Sequence, residues 1–402
     1  MPFLHGVDVI EIDNGPRPIR TVRSSVIGVI GSAPDADAER FPLNMPVLIA
    51  GRRSDAVGLG ETGTLPSAIN DIFDQTGALI VVVRVDVEAP PDDGYGSIEV
   101  PLLPNGIDPD TGQYLGVSAF LAAESEVHVV PRILIAPELS HSAANVNTLL
   151  SVAERLRGVV IADGPNTNDA DAISFRENFG DARLYIVDPW AKVANPEAQV
   201  PLPPPDTPTE IIRPLSARTA GLIAKVDADR GFWWSPSNNE FRGVLGLTRS
   251  VDFALGDPNA RANLLNENEV ATVIQKNGFR LWGNRTTSSD PKWAFLSVRR
   301  TADMINESLL RAHMWAVDRS ISKTYLEDVL EGVNAYLRQL RTQGAIINGR
   351  AWADPERNTP SEIAAGRVHI DFDFTPPYPA ESITFRSHLV NDYLTDVLPD
   401  GS

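Results

Sequence analysis

The chain has 402 residues, 43% of them hydrophobic, with 35 basic and 53 acidic residues and a formal net charge of −18. This composition predicts a globular protein, and the length favours two or three domains. The acidic balance argues against a surface that binds nucleic acid or anionic lipid. The chain contains no cysteine, which excludes disulfides and thiolate metal sites, and its longest apolar run is too short to span a bilayer.

Residues 1–20 predict an extended N-terminal arm. Val7 and Val9 alternate with polar residues, and so do Ile10 and Ile12, which is the period of a strand. A break rich in proline and glycine follows this strand. The arm is either an edge strand of the next domain or a strand that pairs with another subunit.

Residues 21–230 predict an α/β domain in which strands and helices alternate. The short, continuous apolar runs that we interpret as strands are Val26–Ile30, Pro46–Ala50, Ala78–Val85, Arg132–Ala136, Val159–Ala162 and Leu184–Val187. The helical patterns between and after them are Leu65–Gln75, Gln113–Glu124, Ala143–Arg157, Asp169–Asn178 and Ser216–Asp227. Such alternation implies a mainly parallel sheet with flanking helices.

Residues 231–385 predict a separate α+β domain. Phe279–Trp282 is a strand, and Trp293–Val298 is favoured as a second strand, although a helix that starts at Pro291 with Asp290 as its N-cap is an alternative. An apolar stripe of period 3.6 predicts a helix from about Arg300. Two more helices are predicted at Glu267–Lys276 and Lys323–Thr342, and a strand and turn at Ala345–Asp354.

The end of this domain predicts a β-hairpin. Its first strand is marked by alternating apolar residues at Val368, Ile370, Phe372 and Phe374. Its second strand is marked by Ile383 and Phe385. Residues 386–402 then form a C-terminal arm whose apolar positions are Leu389, Val390, Tyr393 and Leu394. We predict that the hairpin and both arms pair as strands between subunits, because regular strand edges invite pairing with another chain.

Catalytic motifs are missing from the sequence. Gly28 and Gly31 follow a strand without the spacing of a dinucleotide-binding loop, and no phosphate-binding loop or metal-binding histidine pair is present. Asp163 and Asp188 lie where α/β enzymes place acids, but we interpret them as caps or turn residues. No catalytic residue, cofactor or metal is therefore predicted. For the pair Arg299–Arg300 we expect one buried ion pair and one side chain that faces a neighbouring subunit.

Several long segments resemble contractile tail sheath proteins of long-tailed phages. They include NGFRLWGNRT (277–286), SSDPKWAFLSVRRTADMI (288–305) and LLRAHMWAVDR (309–319). The similarity continues in GFWWSPSNNEFRGVLG (231–246), ANLLNENEVATVIQ (262–275) and GPRPIRTVRSSVIGVIGSAPDAD (15–37). Because these segments occur in the expected order over most of the chain, the resemblance is specific.

This resemblance implies a structural subunit rather than an enzyme. Sheath proteins of this family form stacked six-fold rings around an inner tube, and the sheath contracts to drive the tube through a cell envelope. The implied partners are further copies of the chain, the inner tube protein, and baseplate and tail terminator proteins. The implied location is the virion tail, or a phage-tail-like particle, after assembly in the host cytoplasm. The alternative is an α/β enzyme whose terminal strands make an obligate oligomer.

Overall fold

The structure is a computed structural model that describes residues 19–87, 100–200, 204 and 207–397. The strands within these ranges are β1 (Ile27–Gly31), β2 (Pro46–Ala50), β3 (Leu79–Arg84), β4 (Asn105–Ile107), β5 (Tyr114–Gly116), β6 (Ile133–Ile135), β7 (Val159–Asp163), β8 (Leu184–Val187), β9 (Ala191–Ala194), β10 (Glu210–Arg213), β11 (Val244–Leu247), β12 (Val270–Gln275), β13 (Phe279–Trp282), β14 (Asn348–Trp352) and β15 (Asp371–Thr375). The α-helices are α1 (Thr64–Gln75), α2 (Ala123–Val127), α3 (Ala143–Leu156), α4 (Asp169–Glu177), α5 (Ser216–Arg230), α6 (Arg261–Glu267), α7 (Leu296–Ala312), α8 (Lys323–Gln343) and α9 (Pro360–Ala364).

A large eight-stranded sheet forms the body of the molecule, in the order β13-β12-β8-β7-β6-β1-β3-β2. The six inner strands are parallel, and β2 and β13 are antiparallel at the two edges. The inner strands are apolar without interruption because helices cover both faces of the sheet. α1 and α5 pack on one face, and α2 and α3 pack on the other. The predicted mainly parallel sheet with flanking helices is confirmed, with all six predicted strands in place.

A smaller core lies outside this sheet, between α7, α8, β14 and β15. Buried side chains of the two helices meet there, and Phe372 and Phe374 of β15 pack against them while partly exposed. The buried members of this core are Ile19, Phe232, Met304, Ile305, Leu309, Val333, Tyr336, Leu337, Leu340, Ala345 and Ile346. The C-terminal part of the chain is thus an α+β unit, as predicted.

The predicted second strand at Trp293–Val298 is wrong, and the helix alternative is closer. A 3₁₀ turn spans Pro291–Trp293, with the Asp290 carboxylate accepting a hydrogen bond from the Lys292 amide at 2.9 Å, and α7 follows. Only Phe295 forms a bridge, to Arg285. This stretch forms a helix because the apolar stripe of α7 packs against both cores. The packing free energy outweighs the local β propensity of the first turn.

The predicted helix at Glu267–Lys276 is also wrong, because α6 ends where that helix should start and strand β12 follows. Glu269 adopts a left-handed φ of 58° that ends the helix. Val270–Ile274 is then fully buried, paired with β8 on one side and β13 on the other. The β-branched residues of this stretch therefore belong to a central strand rather than to a helix face.

The predicted helix at Gln113–Glu124 is only partly present. The chain forms β5 first, then a 3₁₀ helix at Val117–Ala122 and the short helix α2. The break lies at Gly116, whose φ is +52° and where a Cβ atom would lie 1.8 Å from the carbonyl oxygen of Pro104. Only glycine fits there, so the helix cannot begin before it.

The predicted pairing between 368–374 and 383–385 is wrong. β15 pairs instead with β14, and Val368 and Ile370 lie before the strand begins. Ile383 and Phe385 belong to no strand. Prolines at 376, 377 and 379 follow β15 immediately, and because proline lacks an amide proton this connection does not return as a second strand.

The large sheet extends past residue 231, where the sequence predicts the second domain to begin, because β12 and β13 form one of its edges. The division into an outer domain, an inner domain and two arms stays a prediction. The N-terminal candidates Val7, Val9, Ile10 and Ile12 lie outside the described residues.

Candidate assembly surface

The antiparallel pair β14–β15 forms the only sheet of the smaller core among the described residues. Ala351 lies opposite Phe372, and Gly349 lies opposite Phe374. The rings of Phe372 and Phe374 stack with their centroids 6.1 Å apart. One face of the pair packs on α7 and α8, whereas Arg350 and Asp373 are exposed on the other face. A two-stranded sheet is marginal by itself, so this one depends on the helices beneath it.

The outer edge of β14 is occupied by a side chain of α8. The Ala351 amide donates to the Asn334 Oδ1 at 2.9 Å, and the Asn334 Nδ2 donates to the Ala351 carbonyl at 3.1 Å. The carboxamide therefore satisfies both backbone groups that Ala351 turns away from β15. A strand that added to this edge would have to displace Asn334.

The outer edge of β15 is open. Opposed residues in an antiparallel pair turn their backbone groups either toward each other or away from each other, in alternation. Because Ala351 turns away from β15, its opposite residue Phe372 turns away from β14, and so does Phe374 two residues on. Within the described ranges β14 is the only strand next to β15. Such an edge is a template for another strand.

Ion pairs fix the backbone around this edge. Asp373 accepts a hydrogen bond from the Arg350 amide at 3.1 Å. Glu362 accepts two hydrogen bonds from the Arg367 guanidinium, at 2.6 and 2.9 Å, and these lower the pKa of Glu362 to about 2. The turn that leads into β15 therefore keeps its charges over the physiological pH range.

Contacts at Tyr378 and Glu381 fasten the C-terminal segment to the body. Arg285 donates to both oxygens of Glu381, at 2.6 and 2.7 Å, and its guanidinium lies 5.4 Å from the centre of the Phe295 ring. Tyr378 packs edge-on against the same ring at 6.1 Å.

Beyond Glu381, the residues predicted to pair with other subunits are exposed. Their exposed fractions are 71% for Ile383, 91% for Phe385, 99% for Leu389, 45% for Val390, 73% for Tyr393 and 64% for Leu394. Six exposed apolar side chains in so short a segment indicate a surface that another molecule covers.

The acids at the ends of the strands have structural partners. The Asp163 carboxylate accepts hydrogen bonds from the amide and hydroxyl of Ser216 and from the Ser140 hydroxyl, at 2.6–3.0 Å, and so caps α5. Burial raises the pKa of Asp163 to about 6. Asp188 pairs with Arg249, and burial raises the pKa of Asp188 as well. Both acids are fully buried, which supports the interpretation of Asp163 as a helix cap.

The two glycines of β1 serve packing rather than phosphate binding. A Cβ atom at Gly28 would lie 2.7 Å from Leu134, and one at Gly31 would lie 2.1 Å from the Thr64 hydroxyl. Among the described residues, no group of three or more potential ligands could hold a metal ion. No helix in the described ranges is long and apolar enough to cross a membrane.

The arginine pair lies within the subunit. Arg300 forms the expected buried ion pair, with Asp227, at 2.6 Å. The other arginine, Arg299, pairs with Asp303 at 2.8 Å and stacks on Trp293, so it also has partners within the subunit. That one arginine of the pair faces a neighbouring subunit stays a prediction.

The sequence did not identify β14 as the partner of β15, nor Asn334 as a group at the edge. A strand was predicted at Ala345–Asp354, but its sequence gives no sign of its partner. Asn334 lies within the apolar repeat of α8 and has no pattern that marks it. Only the position of α8 beside β14 gives this residue its contact.

Three family models match consecutive parts of the chain. The phage tail sheath C-terminal domain matches residues 288–389, and the phage tail sheath protein central domain matches residues 113–287. The N-terminal region of domain III of the Gp18 tail sheath protein matches residues 24–85.

Characterised relatives match nearly the whole chain. A prophage major tail sheath protein of Pseudomonas aeruginosa (strain UCBPP-PA14) is 40% identical, with 99% of each chain covered. The tail sheath protein of Escherichia phage P2 is 38% identical, with 98% of each chain covered. The major tail sheath protein of Serratia phage KSP20 is 33% identical, with 97% of this chain and 96% of the relative covered.

Solved structures share the fold. The helical sheath of the anti-feeding prophage in its contracted state gives a TM-score of 0.68 at 18% identity, covering 98% of this chain and all of that one. The sheath complex of an extracellular contractile injection system, also contracted, gives 0.66, covering 98% and 99% of the two chains. By these full-length relatives and matching domains, the chain belongs to the family of phage tail sheath proteins and is a structural subunit of a contractile tail sheath.

Proposed function

We propose that this subunit polymerises as stacked six-fold rings around an inner tube and contracts to drive the tube through a cell envelope. The family membership supports this proposal, and so do the open edge of β15 and the exposed apolar residues of the C-terminal segment. The proposed partners are further copies of the chain, the inner tube protein, and baseplate and tail terminator proteins. Neither nucleic acid nor insertion into a membrane has a part in this function.

The proposed role needs no turnover chemistry. The two acids at the strand ends, Asp163 and Asp188, are buried against donors that hold them in place. A catalytic acid must reach a substrate, and these carboxylates do not. Purified protein is therefore expected to bind no nucleotide or metal in stoichiometric amount, which calorimetric titration with ATP and with zinc would test.

The connection between subunits is a four-stranded sheet to which one copy contributes β14 and β15. A second copy contributes its N-terminal arm and a third its C-terminal arm. The observation that carries this model is the contrast between the edges, since Asn334 occupies β14 whereas β15 is open. Both arms therefore add beyond β15, one after the other. The ion pair between Arg285 and Glu381 fixes the point at which the C-terminal arm leaves its own subunit.

Removal of either arm tests the connection. Deletion of residues 1–14, or of everything after Ser387, is expected to leave a folded monomer that forms no tubes in electron micrographs. A Val9→Pro change is expected to act similarly because it removes a backbone donor from the arm strand. Full-length tubes from either truncated protein would rule out the arms as connectors.

The order of strands can be tested by cross-linking, because the chain has no cysteine of its own. Asp373→Cys on β15 or Arg350→Cys on β14 would be combined with one cysteine scanned through 8–12 or 389–394. Neighbouring strands lie about 4.8 Å apart and alternate strands about 10 Å, so only adjacent strands form the disulfide. Oxidised tubes are expected to give linked subunits with Asp373→Cys. Linkage through Arg350→Cys alone would place the arms on β14 instead.

A further inference from the structure

We infer that residues 19–24 form a strap that fastens the N-terminal arm to α5, α7 and α8, so that a neighbour's pull on the arm reaches the whole subunit. This inference rests on the proposed function, in which the arm joins another subunit. It concerns how the arm is attached to its own subunit.

The first described residue begins the strap inside the smaller core. Ile19 is 6% exposed and packs in the cluster that α7 and α8 form. Two residues on, the Thr21 hydroxyl lies 3.0 Å from the Tyr336 hydroxyl on α8. The Val22 amide donates to the Ser308 hydroxyl on α7 at 3.1 Å. The strap therefore begins between these two helices.

The strap continues onto a buried ion pair. The Ser24 hydroxyl donates to the Asp227 carboxylate at 2.7 Å, and the Arg300 guanidinium donates to the Ser24 carbonyl at 3.2 Å. Arg300 and Asp227 form two hydrogen bonds at 2.6 and 2.8 Å, with side chains only 4% and 3% exposed. Bidentate pairs of this kind are the strongest hydrogen-bonded contacts between side chains. The strap thus ends on the ion pair that joins α5 to α7.

α7 passes the pull on to the large sheet. Arg183, directly before β8, pairs with Asp303 at 2.6 Å. Arg132, directly before β6, pairs with Glu307 at 2.7 Å. Since both acids belong to α7, the helix lies across the entry ends of these parallel strands. A pull on the strap is therefore shared among several strands rather than taken by β1 alone.

Two exposed arginines in the strap provide control positions for mutation. Arg20 and Arg23 alternate with the anchored residues, are exposed, and lie in the same short segment. A change at either position alters the segment without touching an anchor. If the seven residues 19–25 peel away before β1 opens, about 25 Å of chain is released, at up to 3.6 Å per residue.

Single-molecule pulling tests the strap directly. Asn14→Cys in the arm and Arg155→Cys on α3 would attach handles to one otherwise cysteine-free subunit. We expect a first rupture whose gain in contour length is the roughly 25 Å of released chain minus the distance that residues 19–25 already span. Its rate at fixed force is expected to rise roughly tenfold or more in Ile19→Ala, because a buried side chain is lost. Tyr336→Phe is expected to raise this rate less, and Arg20→Ala not at all. Equal rupture rates in Ile19→Ala and Arg20→Ala would overturn the inference.

Tubes test whether the strap matters in the assembly. Ile19→Ala tubes are expected to form and then to break into short pieces when urea triggers contraction, whereas Arg23→Ala tubes stay whole. Ile19→Ala tubes that contract intact would refute the strap while leaving the proposed function standing. Failure of the unmodified chain to form tubes would instead contradict the proposed function, and the pulling result would still decide the strap.

Discussion

Asp71, Asp163 and Asp188 are buried in the α/β body, and each has a partner that accounts for its position. Asp71 pairs with Arg218 at 2.6 Å, Asp188 pairs with Arg249, and Asp163 accepts hydrogen bonds from two serines. Burial raises the pKa of all three, to about 6 for Asp71 and Asp163. Such values can mark catalytic acids, but here they result from burial in a structural network.

Asp163 gives a prediction about pH. Its folded pKa of about 6 lies above the ordinary value of 3.8, so its contribution to stability is complete below about pH 4 and is lost as the pH rises through 6. In Asp163→Asn the serine hydroxyls can rotate to accept from the new amide. The variant should therefore gain about 3 kcal/mol relative to the wild type between pH 4 and pH 8. Urea unfolding of the arm-deleted monomer at several pH values measures this gain, and a difference independent of pH would contradict it.

Arg300 gives a prediction about buried charge. In Arg300→Leu the Asp227 carboxylate stays buried without its cation, which should cost about 3–5 kcal/mol of unfolding free energy. Arg300→Leu combined with Asp227→Leu should recover most of that loss. Arg338→Leu is the matched control, because the Arg338–Glu331 pair on α8 is more than half exposed and should cost less than about 1 kcal/mol. Equal losses in both single variants would refute the argument.

At the scale of elements, α7 connects the two cores. Met304, Ile305 and Leu309 face the smaller core, while Asp303 and Glu307 face the entry ends of the sheet strands. Residues three and four apart lie on neighbouring parts of a helix surface, so one helix can present both sets. This double contact explains why the stretch forms a helix although its start is rich in aromatic and β-branched residues.

Asp303 tests this connection. Its side chain is 1% exposed and accepts hydrogen bonds from Arg183 and Arg299. Asp303→Asn should leave these arginines poorly paired and destabilise the docking of α7 by about 3–5 kcal/mol. Hydrogen exchange should rise along α7 while the amides of β7 change less. Glu331→Gln on α8 is the control, and comparable exchange in both variants would argue against the connection.

At the scale of the whole molecule, a packed body carries an open strand edge and a C-terminal segment with exposed apolar residues. The body is held by two packed cores and by buried ion pairs between them. Packed cores of this kind move as units, while linkers at their ends take up large changes in orientation. The subunit is therefore suited to move relative to its neighbours without a change in its own fold.

Contraction is expected to proceed without refolding and without ATP. We expect the extended sheath to be a kinetically trapped state whose free energy is stored in contacts between subunits. Acid, urea or heat below the unfolding range should trigger contraction irreversibly. Far-UV circular dichroism should stay unchanged while electron micrographs show shorter, wider tubes. A large change in helical or strand content on contraction would contradict this view.

The sequence by itself determined the α/β class, the six strands of the N-terminal sheet and the family. Continuous runs such as Val159–Ala162 and Leu184–Val187 favour strands buried on both faces because they are short, apolar and mostly β-branched or aromatic. The family follows from several long segments, those around α7 among them, that occur in the expected order along the chain. Local pattern is sufficient for both conclusions.

The tertiary structure decided the identity of β12, the start of α7 and the partner of β15. Val270–Ile274 becomes a strand because β8 offers it a buried edge, and periodicity alone does not separate a buried strand from a helix. β15 pairs with β14, and Asn334 closes one edge of the pair, because α8 lies beside it. Pairing between distant segments depends on where the packed helices place them, and that information lies in the whole core.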